Sequence, residues 1–141
     1  MAVRWYVDAD TLGLAHVLIR ARNDVTFPGD PGETFRGRRR PPCPIESTDV
    51  PDEEWIAEVG RRGWCVITRD REVMKRPAEL AAVHEHGVRM FAVTSPGQLT
   101  TWELVEAVVT QWREMEKLAE LPGPWIYGLT RSSLRRLLPV A

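Results

Sequence analysis

The chain has 141 residues, of which 43% are hydrophobic and 28% are charged, and its formal net charge is −1. This length suits one domain spanning residues 1–141, because domains cluster at roughly 100–150 residues. A net charge near zero excludes global attraction to nucleic acid, so any such binding must be local. No apolar run reaches the roughly 18–20 residues of a membrane span, which argues against a membrane protein.

The cysteines and the first residues indicate a cytoplasmic protein. Cys43 and Cys65 are too few for a disulfide framework or for a four-ligand zinc site. The opening MAVRWYVDAD carries two acids and lacks the pattern of a secretory signal. Arginine outnumbers lysine 17 to 2, which indicates the coding bias of a GC-rich, bacterial genome.

The predicted elements alternate between strands and helices. In chain order they are a strand at 3–7, a helix at 11–22, a strand at 24–27, a helix at 48–62, a strand at 64–68, a helix at 77–86, a strand at 89–93, a helix at 100–121 and a strand at 125–129. Alternation of this kind implies right-handed βαβ units. The predicted fold is a three-layer α/β/α sandwich with a small, mainly parallel central sheet, followed by a C-terminal extension over 122–141.

Residues 28–48 have no regular pattern. The segment holds five prolines, three glycines and the run Arg36-Gly37-Arg38-Arg39-Arg40. A structureless connection longer than roughly 12–15 residues is usually functional or disordered. We therefore expect a mobile basic loop whose arginines contact phosphates, although a solvated charged loop would look the same.

Acidic residues follow two of the predicted strands. Asp8 and Asp10 follow the strand at 3–7, and Asp70 follows the strand at 64–68. Ligands of parallel sheets bind beyond the carboxyl ends of the strands, where the strand order reverses. If these two strands are neighbours, their ends lie about 4.8 Å apart and the carboxylates converge. Converging carboxylates repel unless a cation such as Mg²⁺ or Mn²⁺ lies between them.

A third carboxylate is expected from the helix at 48–62. Asp52 shares a helix face with Trp55 and Ile56, which pack on the sheet, whereas Glu54 lies on the solvent side. Three such acids suit metal-assisted hydrolysis of a phosphodiester, in which the ion lowers the pKa of the attacking water and neutralises the leaving oxygen.

Each of these acids also has a purely structural interpretation. Asp10 or Thr11 would cap the first helix, Asp70 would cap a turn, and Asp52 would complement a helix dipole. The simultaneous placement of three acids favours a shared site.

The residues Asp8-Ala9-Asp10, Asp52-Glu53-Glu54-Trp55 and Thr68-Arg69-Asp70, in this order, resemble the PIN-like domain family, which includes the VapC-type toxin ribonucleases. The resemblance covers roughly residues 3–95. It implies metal-dependent cleavage of RNA, with Asp8, Asp52 and Asp70 at the family's acidic positions and Asp10 assisting. The family often supplies a fourth acid shortly after the third, and the candidate here is Glu72.

The resemblance also suggests partners. Arg69 and Arg71 flank the expected metal site, where they would steady the scissile phosphate or pair with neighbouring acids, and Arg38, Arg39 and Arg40 would contact RNA. If the chain is the toxin of a toxin–antitoxin pair, an antitoxin protein should wrap the basic loop. Exposed aromatic residues and the precedent of the family favour a homodimer.

Two other classes remain open from the sequence. A non-catalytic PIN-like module would use the same basic loop to bind RNA or a protein. A phosphatase of the haloacid dehalogenase type also carries Asp-x-Asp after a strand, but it needs Thr or Val where this chain has Leu12. That class and the receiver domains also need a lysine that neither Lys75 nor Lys117 supplies at a predicted strand end.

Overall fold

The computed structural model describes residues 2–70 and 72–139. Its strands are β1 (Trp5–Val7), β2 (Val25–Thr26), β3 (Glu33–Phe35), β4 (Arg38–Arg40), β5 (Cys65–Thr68), β6 (Arg89–Val93), β7 (Trp125–Leu129) and β8 (Leu134–Leu138). Its α-helices are α1 (Leu12–Ala21), α2 (Asp52–Arg62), α3 (Pro77–Glu85) and α4 (Thr101–Leu118), and single 3₁₀ turns lie at Ala9–Thr11 and Val73–Lys75. Within this described part of the chain, no helix has the length and hydropathy of a membrane span.

Six strands form the central sheet in the order β2-β1-β5-β6-β7-β8. The first five strands in that order are mutually parallel, and only β8 runs antiparallel, against β7. The chain moves from β1 outward to β2 and then returns to the other side of β1 as β5. The strand order therefore reverses between β1 and β5.

Helices cover both faces of the sheet, which confirms the predicted three-layer α/β/α sandwich. Along β1, Trp5 and Val7 point into the layer shared with α1 and α4, while Tyr6 points into the layer shared with α2 and α3. This alternation follows from the two-residue period of a strand and buries an apolar surface on each side. In sheets covered in this way, ligands bind beyond the carboxyl ends of the strands.

The helix boundaries follow from local sequence signals. At the start of α4, Thr100 and Glu103 form a reciprocal capping box. Helix α2 ends at Gly63, which adopts a left-handed conformation with φ of 71°. Pro77 occupies the first turn of α3, where its missing N–H costs no helical hydrogen bond.

The expectation of an irregular loop over 28–48 is wrong in part, since β3 and β4 pair there as an antiparallel hairpin. A buried ion pair anchors the hairpin: Arg40 donates two hydrogen bonds to Asp30, of 2.7 and 3.0 Å. Asp30 also accepts hydrogen bonds from Thr26 and from the backbone N–H of Gly32. The segment is thus fixed by contacts between distant residues, which no periodicity in the sequence reveals.

The C-terminal segment from residue 122 contributes two strands to the sheet. The predicted strand at 125–129 is present as β7 and lies between β6 and β8. The pairing of β8 with β7 was not predicted, and it covers an edge that β7 would otherwise expose.

Candidate functional site

The reversal of strand order brings two acidic strand ends together. Strand β1 pairs in parallel with β5, so Val7 lies opposite Ile67 and the backbone N–H of Asp8 donates to the carbonyl of Ile67 at 2.9 Å. Asp8 therefore follows β1 beside the end of β5, where Thr68 and then Asp70 occur. Strands β1 and β5 are therefore neighbours, which is the condition under which we expected their acids to converge.

The hydroxyl of Thr68 lies at the centre of this end of the sheet. It is 3.0 Å from a carboxylate oxygen of Asp8 and 3.2 Å from one of Asp10, and it accepts a hydrogen bond from the backbone N–H of Asp70 at 3.1 Å. A hydroxyl carries one proton, so it can donate to only one of the two carboxylates at a time. Thr68 thus fixes the relative positions of the three acids without neutralising them.

Four carboxylates line one small cavity at this edge. They belong to Asp8, Asp52, Asp70 and Glu79, and the cavity between them has a volume of about 20 Å³. This is room for about one water-sized species, since a water needs roughly 10–15 Å³ measured this way. Asp10 lies beside the cavity and is tied to it through Thr68.

Helix α2 delivers Asp52 to the cavity. Asp52 is its first residue, and the stripe formed by Trp55, Ile56 and Val59 packs against the sheet on the same face. The indole Nε1 of Trp55 donates to Oδ1 of Asp52 at 2.8 Å. Because the indole ring is itself stacked on Tyr6, this hydrogen bond orients the carboxylate from a rigid support.

Burial, together with the crowding of negative charge, raises the pKa values of the carboxyl groups in this cluster. The pKa of Asp8 rises to about 7, first through burial and then through repulsion from Asp10. The pKa of Glu79 also rises to about 7, through burial and then through its contact with Asp52. Desolvation raises the pKa of Asp10 as well. The cluster therefore holds more negative charge than its surroundings compensate.

The guanidinium of Arg76 reaches the cluster from its rim. Arg76 is hydrogen-bonded to Asp70 and lies 3.5 Å from a carboxylate oxygen of Glu79. The Arg76 side chain is 47% exposed, so water screens much of its charge. Asp70 also accepts a hydrogen bond from the backbone N–H of Glu72 at 2.9 Å, which holds the turn after β5.

The cavity offers only oxygen donors, which is the ligand type that Mg²⁺ and Mn²⁺ prefer. Among residues 2–70 and 72–139, however, no three His, Cys, Asp or Glu side chains already stand in the arrangement of a metal site. A cation binding here would have to draw Asp70 away from Arg76. The donor set therefore fits a hard divalent ion in kind, while its final geometry is not preformed.

Arg69 contacts one of the acids through its main chain, since its backbone N–H donates to Asp10 at 3.1 Å. Arg69 turns inward and donates to the carbonyls of Val93, Ser95 and Gly97 at 2.7–2.8 Å, which holds the loop after β6 in place. Arg71 lies outside the described residues.

The other predicted arginines lie on β4, at a distance from the acids. Arg40 is only 5% exposed and is paired with Asp30, so its contact with RNA stays a prediction from the sequence. Arg38 and Arg39 are exposed on the hairpin.

Glu79 is the acid that the sequence analysis missed. Glu72, the expected fourth acid, lies outside the cavity, and its exposed side chain pairs with Lys75. A helix that starts soon after a parallel strand has its first turn at the carboxyl edge of the sheet. Glu79 lies in the first turn of α3, so the start of this helix after β5 is the sequence signal that places Glu79 at the carboxyl edge.

The family comparison agrees with this arrangement. Residues 34–95 match the model of a family described as PIN like domain, a segment that includes Asp52, Asp70 and Glu79. No curated protein and no solved structure matches the chain. The matched segment, together with the parallel sheet and the acids at its carboxyl edge, supports a PIN-like domain.

Proposed function

We propose that the protein is a metal-dependent endoribonuclease that hydrolyses RNA phosphodiester bonds with Mg²⁺ or Mn²⁺. One observation carries this proposal: four carboxylates from separate parts of the chain line one cavity where the strand order reverses. Folding alone does not require such an arrangement, because like charges at this distance repel. The fold family is one of nuclease type, which gives the cavity a matching chemistry.

In this proposal Asp8, Asp52 and Asp70 hold the ion, Asp10 assists and Glu79 completes the set. A bound divalent ion supplies Lewis acidity for the attack of water and neutralises charge on the leaving oxygen. Thr68 keeps the Asp8 and Asp10 carboxylates in place, and Trp55 does the same for Asp52.

The raised pKa values give the carboxylates a second property. Near neutral pH, Asp8 and Glu79 exchange protons readily, because both pKa values lie at about 7. A cation in the cavity would displace those protons and hold both groups ionised. Cleavage should therefore rise with pH through the range in which the metal competes with protons.

A non-catalytic binding module is the second candidate. The observation in its favour is the Arg76 guanidinium on Asp70, which leaves the acids without a ready-made metal geometry. In that case the acids would be structural and the chain would bind RNA without cutting it. The antitoxin, the homodimer and the cytoplasmic location stay predictions from the sequence.

The deciding experiment is an RNA-cleavage assay with Mg²⁺ or Mn²⁺. Asp70→Asn should abolish cleavage, whereas Glu72→Gln should retain it, because Glu72 lies two residues away but outside the cavity. Equal activity in the two variants, or cleavage by the wild type in excess EDTA, would contradict the nuclease proposal. Uncut RNA that binds the wild type and both variants equally would support the binding module.

A further inference from the structure

A second charged cavity lies at the opposite end of α1 from the acids. It has a volume of about 310 Å³ and is enclosed by the last turn of α1, the turn into β2 and one face of the β3–β4 hairpin. Helix α1 begins just after Asp10 and has ten residues, so its two ends are about 15 Å apart. The two cavities are therefore separate sites.

The charges of this cavity, which we call the arginine pocket, are strongly one-sided. Its charged lining residues are five arginines and one acid, namely Arg20, Arg22, Arg36, Arg38, Arg40 and Glu33. Three of the arginines are paired: Arg22 with Asp24, Arg40 with Asp30, and Arg20 with Glu33 at 3.0 Å. Within the described residues, Arg36 and Arg38 have no ion-pair partner. The pocket is left with two positive charges that the protein does not balance.

An aromatic ring lies among these charges. The guanidinium carbons of Arg20 and Arg36 are 5.1 and 5.4 Å from the centroid of the Phe35 ring. Phe35 is nevertheless 38% exposed, which is high for a phenylalanine beside a cavity. Exposed aromatic rings flanked by arginines are the surfaces on which nucleobases stack.

The hairpin register directs these groups to one side. Phe35 pairs with Arg38, and Glu33 pairs with Arg40, so these four side chains share a face and line the pocket. Thr34 and Arg39 form the intervening pair and point to the opposite face. The chain thus provides two neighbouring arginines of the same charge, one inside the pocket and one outside it.

The turn of the hairpin also positions a charge at an energetic cost. Arg36 adopts φ of 51° and Gly37 adopts φ of 76°, as a two-residue turn with left-handed residues requires. Asparagine or glycine would occupy the position of Arg36 with less strain. An arginine held there against its backbone preference is consistent with use of its side chain.

A purely structural origin accounts for only some of these arginines. The last carbonyls of α1 attract cations, which explains Arg20 and Arg22 in or just after the final turn. It does not explain Arg36 and Arg38, since they come from the hairpin and face the same cavity. The excess charge and the exposed ring suit a ligand that is anionic and aromatic at once.

We propose that the arginine pocket binds a nucleoside phosphate, with the phosphate on Arg36 and Arg38 and the base against Phe35. The same chemistry is offered by a free mononucleotide and by one nucleotide unit of an RNA strand. This site does not depend on the acidic cavity or on a metal ion, so it stands independently of the proposed nuclease activity.

The test measures binding without metal. Adenosine monophosphate, a short single-stranded oligoadenylate and inorganic phosphate are titrated into the full chain in excess EDTA at low salt. Arg38→Ala should weaken binding of the nucleotide by roughly tenfold, the usual effect of losing a charge-assisted hydrogen bond. Arg39→Ala, the matched control on the other face, should change it by less than about twofold.

Two further variants separate the base contact from the phosphate contact. Phe35→Leu should weaken binding of the nucleotide but not of inorganic phosphate, because only the nucleotide has a base to stack. Arg36→Asn removes a charge yet suits the left-handed turn, so it should weaken binding while circular dichroism and melting temperature stay unchanged or improve.

Each outcome decides the proposal. Binding of the mononucleotide identifies a free nucleotide as sufficient, while binding of the oligomer alone identifies an RNA strand as the source. Absence of binding by both ligands, or an equal loss of nucleotide affinity in Arg38→Ala and Arg39→Ala, would overturn the proposal that the arginine pocket binds a nucleoside phosphate. Failure of RNA cleavage with the pocket intact would instead count against the nuclease proposal alone.

Discussion

The base of the hairpin and the carboxyl edge of the sheet both hold carboxylates away from bulk water, but the surroundings of these carboxylates differ in charge. At the base of the hairpin, buried Asp30 meets Arg40, a threonine hydroxyl and a backbone N–H, so its charge is fully matched. At the carboxyl edge of the sheet, burial and then the neighbouring carboxylates raise the pKa values of Asp8 and Glu79 to about 7. We call the first region matched, because its buried carboxylate has a cation partner, and the second unmatched, because its carboxylates lie beside one another. The unmatched region is the one that favours a bound cation.

The free energy of unfolding should depend most strongly on the matched region, where removal of one partner leaves a buried charge unpaired. Arg40→Leu would leave Asp30 buried without its cation, and breaking such a pair costs about 3–5 kcal/mol. Urea denaturation should show this loss, while Arg39→Leu at the neighbouring exposed position should change stability by less than about 0.5 kcal/mol. Equal effects of the two substitutions would mean that the Asp30–Arg40 pair does not anchor the hairpin.

A substitution in the unmatched region should reduce RNA cleavage more than it reduces the free energy of unfolding. Glu79→Gln removes a carboxylate of the acidic cavity, and we expect cleavage to fall by about 100-fold, or ~2.7 kcal/mol of transition-state stabilisation. A single-turnover assay measures this loss. Full activity in Glu79→Gln would remove Glu79 from the site and leave three acids to hold the ion.

Removing charge from the acidic cavity should stabilise the metal-free protein. The pKa of Asp8 in the folded chain lies at about 7, above its ordinary value of 3.8. Folding therefore loses stability as pH rises from about 4 to 7, because the folded state keeps a proton that the unfolded state has already lost. Asp8→Asn avoids this loss, so we expect a gain of about 1–2 kcal/mol at pH 8, less than the full shift implies because the carboxyl is only partly buried.

The gain should shrink as the pH falls and disappear below about pH 3, where both states of the wild type are protonated at Asp8. Thermal melts in EDTA across this pH range provide the measurement. Asparagine can keep the hydrogen bonds of Asp8, since its carbonyl can accept from Ala9 and its amide can donate to Thr68. Destabilisation at every pH would show that the Asp8 carboxylate is a structural cap.

The smallest effect is expected at the support of Asp52. Trp55→Phe keeps a ring against Tyr6 but removes the indole N–H that orients the carboxylate. Loss of one partly exposed hydrogen bond should cost about 1 kcal/mol of stability and reduce metal affinity a few-fold. Isothermal titration with Mn²⁺ would detect the change, and an unaltered affinity would show that Asp52 needs no such support.

The sequence predicted the parts of the fold that local signals determine. The parallel strands, the four helices and the convergence of Asp8 and Asp70 follow from apolar runs, capping residues and acids after strands. The hairpin was not predictable, because its turn places an arginine where asparagine is usual and its anchor joins Asp30 to a residue ten positions away. Strand β8 was not predicted for a related reason, since its extended conformation depends on pairing with β7.

The site was predictable to the same extent. Asp52 lines the cavity, and the helix period that separates its face from that of Glu54 is the sequence signal for this position. Predicting Glu79 would have needed the position at which α3 starts. Predicting the inward turn of Arg69 would have needed the carbonyls of the loop after β6, to which its guanidinium donates. Side chains whose partners lie far along the chain are the ones that sequence patterns assign least well.

The central claim is that the unmatched carboxylates form one cation site, and a calorimetric Mn²⁺ titration tests it most directly. The wild type and Glu72→Gln should bind the ion with similar affinity, whereas Asp8→Asn and Asp70→Asn should lose binding. Retained binding in both of the latter variants, or no binding to the wild type, would contradict the account and leave the acids as structural groups.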